Sequence, residues 1–302
     1  MKYEITYGSR TGARPSNQDR VGVAERAHTI LMVLADGLGG HEGGALAAQI
    51  AVDTVLNTFR GLKKQHIDNP PAFLAMSLSD AHKRMYQRGA ALRPPIEPRT
   101  TCVACLVQDG YAYWAHVGDS RLYHLRNHAV IARTLDHTPV ERLRQGGVLT
   151  EEEMPEHPDK SQLFKCLGAH ELPSISIGPE TPLHYDDVVL LCSDGLWEAF
   201  DAREMALHLR EGTLEEALDD LLLAAEERMD GHSDNVSAIC LRWREARALC
   251  PPLRPAPAGA VPGNAQPDTL GSHPQNIEDY SVEEALSEIE KLVHRRDPKS
   301  PH

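Results

Sequence analysis

An α+β fold built on antiparallel strands is what this sequence predicts, and three observations carry the reading. First, strand-like runs at 100–107, 111–117, 121–125 and 129–132 follow one another across turns of only a few residues. Connections that short join antiparallel neighbours, because a parallel pair needs a crossover of a dozen residues or more. Second, 29–35 and 188–192 are apolar throughout and read as buried strands. Third, three stretches repeat apolar residues at helical spacing. These are Ala48, Val52, Val55, Leu56 and Phe59; Leu74, Leu78, Ala81 and Met85; and Leu214, Ala217, Leu218, Leu221, Ala225 and Met229.

In chain order, short strands are expected at 3–8 and 20–25, separated by a polar loop that carries Arg14 and Asp19. The buried run 29–35 stops at Asp36-Gly37, followed by a glycine-rich turn and the first helix. A carboxylate at the end of a buried strand is held rigidly, and a glycine beside it lets a ligand approach the backbone. Such a pair offers a cation one carboxylate and one bare carbonyl. Pro70-Pro71 opens the second helix, and Gly89 with Pro94-Pro95 should stop it. Gln108-Asp109-Gly110 is a hairpin turn, and the four strands from 100 to 132 read as a meander. The stretch 136–182 is polar and rich in Glu, His and Pro, with only a weak helix at 140–145, so it reads as a mobile functional loop or small subdomain. The run 188–192 again ends in an Asp-Gly pair, Asp194-Gly195. A helix should start at Asp201, and Thr213 with Glu216 forms a capping box for the next, at 214–229. The turn 231–235 leads into the last strand, 236–243.

Composition narrows the function. A 302-residue chain with 41% hydrophobic residues can bury a substantial core. Its net charge of −13 argues against a nucleic-acid surface, which needs concentrated Lys and Arg. No run of apolar residues is long enough for a membrane helix, and Met1-Lys2-Tyr3-Glu4-Ile5 lacks the apolar core of a signal peptide. A cytoplasmic protein without a membrane partner is therefore expected. The six cysteines lie mostly in strand patterns and read as buried free thiols. Cys102 and Cys105 resemble half a zinc motif, but residues three apart on a strand face opposite ways and no second pair follows.

Four aspartates share one setting. Asp36, Asp119, Asp194 and Asp234 each sit at a strand end or turn with a Gly or Asn nearby. Taken singly, an Asp-Gly is a plain turn; the signal is the ensemble. Oxygen-only clusters suit Mg²⁺ or Mn²⁺. Two such ions about 4 Å apart could share Asp36, activate water and neutralise a phosphoryl group, with Arg14 gripping the phosphate by its two-pronged edge.

In family order the chain carries Arg14-Pro-Ser-Asn-Gln-Asp19, Ala35-Asp-Gly-Leu-Gly-Gly-His41, Val117-Gly-Asp-Ser-Arg121, Asp136-His-Thr138, Cys192-Ser-Asp-Gly-Leu-Trp197 and Ser233-Asp-Asn235. This set, spanning about 3–244, resembles the bacterial metal-dependent (type 2C, PPM) Ser/Thr protein phosphatases. The resemblance implies an αββα four-layer sandwich of two antiparallel sheets flanked by helices, with 136–182 as a flap. It also implies two Mg²⁺ or Mn²⁺ ions, and a third as in bacterial members. Asp36, Asp194 and Asp234 match the ligands of the first ion, Asp36 and the Gly37 carbonyl those of the second, and Asp119 with Asp194 those of the third. Arg14 matches the phosphate-binding arginine. Gln18, where many members carry Glu, and Asp19 would hold metal-bound water. The implied reaction is hydrolysis of phosphoserine or phosphothreonine by metal-bound water, opposing a cognate Ser/Thr kinase.

Some positions depart from the family. Leu38 stands where eukaryotic members carry a His proposed as general acid, and Arg99 stands where Gly is usual. His41 and His232 read as loop residues, and the acidic run 151–160 as a solvated face. The organisation expected is a catalytic domain at 1–245, a Pro-rich linker at 246–276 and a short amphipathic helix at 277–302. That helix carries Val282, Leu286, Ile289 and Val293 on one side and could dock on a partner. Two competing readings are a catalytically weak scaffold that binds phosphoproteins, and a specialised phosphatase guided to one protein by the tail. The intact set of aspartates argues against the scaffold.

Overall fold

The computed structural model describes residues 1–245, apart from 40, 41, 151, 152, 155, 156, 161, 172 and 211. The linker and tail helix expected at 246–302, Cys250 within that stretch, and His41 lie outside the described residues.

Two antiparallel sheets stack face to face. One is five-stranded, in the order β1 (Tyr3–Arg10), β13 (Val236–Trp243), β12 (Val188–Cys192), β8 (Arg121–Arg126) and β9 (Ala129–Arg133). The other runs β10 (Ser176–Ile177), β7 (Tyr111–Val117), β6 (Cys102–Gln108), β3 (Thr29–Ala35) and β2 (Arg20–Arg26), with β11 (Thr181–Pro182) also on β7. Helices α1 (Glu42–Arg60) and α2 (Pro70–Ala91) cover the second sheet, and α5 (Ala202–His208) and α6 (Leu214–Arg228) cover the first.

The period-two alternation of β3 explains the layering. Ile30, Met32 and Leu34 point between the sheets, where they meet Val103, Leu191, Ile239, Leu241 and Trp243. Leu31, Val33 and Ala35 point the other way, into Val52, Val55 and Phe59 of α1 and Leu74, Leu78 and Met85 of α2. Each fully buried aliphatic side chain stabilises the fold by about 1.5–3 kcal/mol, so a strand lined on both faces must lie in an inner layer. The third apolar layer packs Leu190, Cys192 and Cys240 against Met205, Leu218 and Leu221. Cys102 joins the helix-side layer and Cys105 the layer between the sheets, so the pair faces opposite ways, and both are free thiols.

Several elements differ from the sequence reading. The four-strand meander is two hairpins in different sheets. β6 and β7 pair across Asp109-Gly110, but Gly118-Asp119-Ser120 crosses from β7 in one sheet to β8 in the other. The run 100–107 breaks at Thr101, because Arg99–Thr100 (β5) pairs with Gly37–Leu38 (β4) as a separate ribbon. α2 continues through Gly89 to Ala91. Asp194–Trp197 forms a short helix, α4, ahead of the helix expected at Asp201. The stretch 136–182 contains α3 (Pro139–Gln145), capped by Thr138, and attaches to the sheet edge through β10 and β11. Among the described residues no helix is long and apolar enough to cross a membrane.

Candidate active site

Strand register brings one end of both sheets together. In the five-stranded sheet Arg10 lies opposite Val236, and Cys192 opposite both Ala238 and Arg121. In the other sheet Ala35 lies opposite Arg20, Leu34 opposite Val103, and Cys102 opposite Val117. The loops that leave these positions hold Arg14, Gln18, Asp19, Asp36, Asp119, Asp194 and Asp234.

Asp36 follows β3 directly. Its N–H donates to Thr101 Oγ1 at 3.2 Å, and its carbonyl accepts from Thr101 N at 2.9 Å and Thr100 Oγ1 at 2.6 Å. The backbone is thereby immobilised and the side chain left for other work. Gly37 has a packing use as well. A Cβ there would lie 2.3 Å from the backbone of Gly44, so the missing side chain admits the start of α1. A Cβ on Gly44 would in turn meet Gln18 Oε1 at 2.2 Å, which places the Gln18 side chain against that turn. Asp194 is the first residue of α4, and its carbonyl accepts from Glu198 N at 2.8 Å. Asp234 precedes β13. The neighbouring Asn235 clamps the loop of Arg14, accepting from Gln18 N at 2.8 Å and donating to Thr11 O and Ser16 O at 2.7 and 3.1 Å.

Asp19 is 2% exposed. Its Oδ2 accepts from Ser193 Oγ at 2.7 Å, and its Oδ1 is buried without a hydrogen-bond donor. Arg14 is placed unexpectedly. Its Nε and Nη2 donate to the two oxygens of Asp234 at 2.8 and 2.6 Å, so the expected phosphate ligand forks onto an expected cation ligand. Leu38 lies opposite the exposed Arg99, which pairs with Glu97 at 2.5 Å. His232 is exposed and bonds within its own turn.

The electrostatics are those of too many carboxylates in too little water. Burial pushes the carboxyl of Asp36 well above its usual range, and the charges of Asp194, Asp19, Asp119 and Asp234 push it further. Asp194 is raised in the same way, by burial and then by Asp119, Asp234 and Asp19. Asp119 is raised to about 7 by burial and by Asp136, against the pull of Arg121. Burial raises Asp19 to about 6, against the Ser193 hydroxyl. Among the described residues no three carboxylate, imidazole or thiolate groups form a ready-made cation cage. The donor set nevertheless fits a hard divalent ion. It is all oxygen, its members raise one another's pKa values, and one buried carboxylate oxygen is orphaned.

Sequence reasoning passed over the supports of these residues. Asn235, Ser193, Thr100 and Thr101 lie within or beside the motifs, but only the folded loops reveal their hydrogen bonds. Glu198, whose charge bears on both Asp119 and Asp194, carried no motif signal.

Comparison with known proteins gives the same answer at every level. A family profile described as Protein phosphatase 2C matches residues 9–236. The Serine/threonine phosphatase stp of Listeria monocytogenes is 30% identical over 232 residues, covering 75% of this chain and 90% of its own. The S. agalactiae serine/threonine phosphatase superposes with a TM-score of 0.74 at 27% identity, over 81% of this chain and 100% of that one. The catalytic domain of the phosphatase PstP, in complex with two manganese ions, superposes with a TM-score of 0.68 at 26% identity, over 80% and 99%. The chain belongs to the protein phosphatase 2C family and is a metal-dependent protein serine/threonine phosphatase.

Proposed function

We propose that the chain hydrolyses phosphoserine and phosphothreonine in proteins at a centre of two Mg²⁺ or Mn²⁺ ions, with a third served by Asp119 and Asp194. The observation that carries this reading is the elevation of Asp36 and Asp194 at the end of the sandwich: burial raises both, the charge of Asp194 raises Asp36, and Asp19, Asp119 and Asp234 raise each of them. Like charges so placed favour a cation between them. Asp36, Asp194 and Asp234 would hold the first ion, and Asp36 with the Gly37 carbonyl the second. Bound Mg²⁺ or Mn²⁺ supplies Lewis acidity, neutralising phosphoryl charge and making water acidic enough to attack near neutral pH.

The remaining work falls to the chain. Arg14 is exposed at the mouth of the site, with a planar edge that matches two phosphate oxygens. Swinging from Asp234 to the substrate, it fixes the phosphoryl group for in-line attack. Asp19 offers its free Oδ1 as an acceptor that orients water, while Ser193 holds its other oxygen. Gln18, in the same loop and packed on the first turn of α1 at Gly44, would help to orient that water. Leu38 cannot donate a proton, so the leaving serine or threonine oxygen takes its proton from water. A phosphatase of this kind needs an enzyme that makes its substrate, so a Ser/Thr kinase in the same cytosol is the natural counterpart.

The test is hydrolysis of a phosphothreonine peptide in EDTA, in Mg²⁺ and in Mn²⁺, beside Asp194→Asn. Turnover that requires metal and falls to background in the variant is expected. A folded wild-type chain that stays silent with both metals would overturn the reading and favour a phosphoprotein-binding scaffold.

A further inference from the structure

We infer that Trp197 and Arg121 are positioning residues that set the spacing between Asp119 and Asp194 and tie it to the base of the flap. The inference rests on the cation-binding role proposed for those two aspartates.

Asp119 sits in the three-residue crossover between the sheets, and the backbone of that crossover is held at Gly118 and at Asp119 itself. The indole Nε1 of Trp197 donates to its carbonyl at 3.0 Å. Trp197 also ends α4, the single turn of helix that begins with Asp194. One hydrogen bond therefore spans the two carboxylate-bearing segments. It lets the helix of one ligand set the position of the loop carrying the other.

The indole is itself held. The Arg121 guanidinium stacks on it, with its central carbon 3.7 Å from the ring centroid. Arg121 is buried and fully committed: Nε lies 3.0 and 3.1 Å from the two oxygens of Asp136, Nη2 lies 2.6 Å from Oδ2, and Nη1 donates to the Tyr123 hydroxyl at 2.9 Å. Face on indole and edge on carboxylate is a geometry only guanidinium offers, since an ammonium has neither plane nor fork. Asp136 opens the flap. The next residue, His137, accepts from Gly118 N at 3.0 Å through Nδ1, and its own N–H donates to Gly118 O at 2.9 Å. The flap base and the Asp119 loop are thus joined twice, through Arg121 and Trp197 on one side and through His137 on the other. Neither Arg121 nor Trp197 has a part in the chemistry proposed above.

Trp197→Phe separates positioning from packing. It keeps an aromatic ring beneath Arg121 and removes the N–H together with the rest of the fused second ring, so the melting temperature is read alongside. Calorimetric titration of Mn²⁺ into the metal-stripped full chain would be run on wild type, Trp197→Phe, Arg121→Lys and Asp194→Asn, with Mn²⁺ electron paramagnetic resonance as a count of bound ions. In both positioning variants the weakest class of Mn²⁺ site should lose about tenfold in affinity, the usual effect of removing a support behind a metal ligand, while the tighter sites hold. For a phosphothreonine peptide, kcat should fall and KM stay near wild type. An unchanged Mn²⁺ isotherm in folded Trp197→Phe overturns the inference. So does equal weakening of every site alongside a lowered melting temperature, which is what loss of packing alone would produce. Should Arg121→Lys not fold, Trp197→Phe decides alone. Failure of the underlying reading looks different: wild type would bind no Mn²⁺, or Asp194→Asn would match it, and this inference would fall too.

Discussion

Arg14 forms two parallel N–H···O bonds to Asp234, and the geometry is good. The setting, however, is wet: the side chains are 58% and 37% exposed. An ion pair so placed is worth about 0–1 kcal/mol at most, because water screens it and both side chains lose freedom. A phosphate dianion offers the same fork two oxygens and carries more charge than the Asp234 carboxylate, so substrate competes with Asp234 on favourable terms. Arg14→Ala should therefore raise KM for a phosphothreonine peptide by roughly tenfold or more and change kcat less, since the contact already forms in the ground state. Steady-state kinetics decide it, and a wild-type KM in the variant would remove Arg14 from substrate binding. Asp19 is the contrasting case at this scale. It is almost wholly buried, so its unpaired oxygen matters more than any exposed pair.

At the scale of elements, the site depends on short connectors more than on long strands. Gly118 adopts φ +104°, and a Cβ there would lie 2.6 Å from Thr101, so only glycine lets the chain cross between the sheets at that point. The flap base is anchored by His137, stacked on His116 with ring centroids 4.8 Å apart. Its Nδ1 accepts from Gly118, so the proton resides on Nε2, which donates to Ser176 Oγ at 2.8 Å. Burial, followed by the charges of His116, Lys165 and Arg142, pushes its pKa down to about 2. The unfolded chain takes up a proton near pH 6.5 that the folded chain refuses. Stability from this group is full above pH 6.5 and is lost as pH falls toward 2, by up to about 1.4 kcal/mol per pH unit. His137→Asn keeps an acceptor for the Gly118 N–H without the titration. Urea unfolding in EDTA between pH 6.5 and 4.5 should show wild type losing stability faster than the variant by close to one proton, and parallel slopes would contradict the assignment.

For the molecule as a whole, the acidic end of the sandwich opposes folding. Asp36 and Asp194 hold protons in the folded chain to well above the usual carboxylate range, whereas the unfolded chain releases them near pH 4. The folded state then binds more protons, so stability falls as pH rises. Asp19 and Asp119, raised to about 6 and about 7, set the range: in the His137→Asn background, where that imidazole no longer titrates, the melting temperature of the metal-stripped chain should drop as pH rises from 5 to 7. Saturating Mn²⁺ should abolish the drop, because the ion replaces the protons, and at a hundred times its dissociation constant it adds about 2.7 kcal/mol. Scanning calorimetry with and without Mn²⁺ checks both. A metal-free melting temperature flat across that range would mean the carboxylates do not crowd one another as described.

Much of this was legible before any coordinates. The continuous apolar runs 29–35 and 188–192, period 3.6 in the helices and the Thr213 capping box reappear as β3, β12, α1, α2 and α6 with boundaries shifted by a few residues at most. These signals are local, set by side-chain spacing and backbone sterics within a dozen residues. The aspartates too announced themselves by type and by place at strand ends. What local pattern could not reveal is which sheet a strand joins. Gly118-Asp119-Ser120 reads like any short turn, and only the packing of two sheets makes it a crossover. The Arg14–Asp234 pair joins residues 220 apart, and Trp197 reaches back across 78 residues to Asp119. Sequence alone determined most element types, the buried apolar runs and the supply of carboxylates. The tertiary structure decided their pairing and their supports, because hydrogen bonds and burial between distant segments exist only once the sheets have stacked.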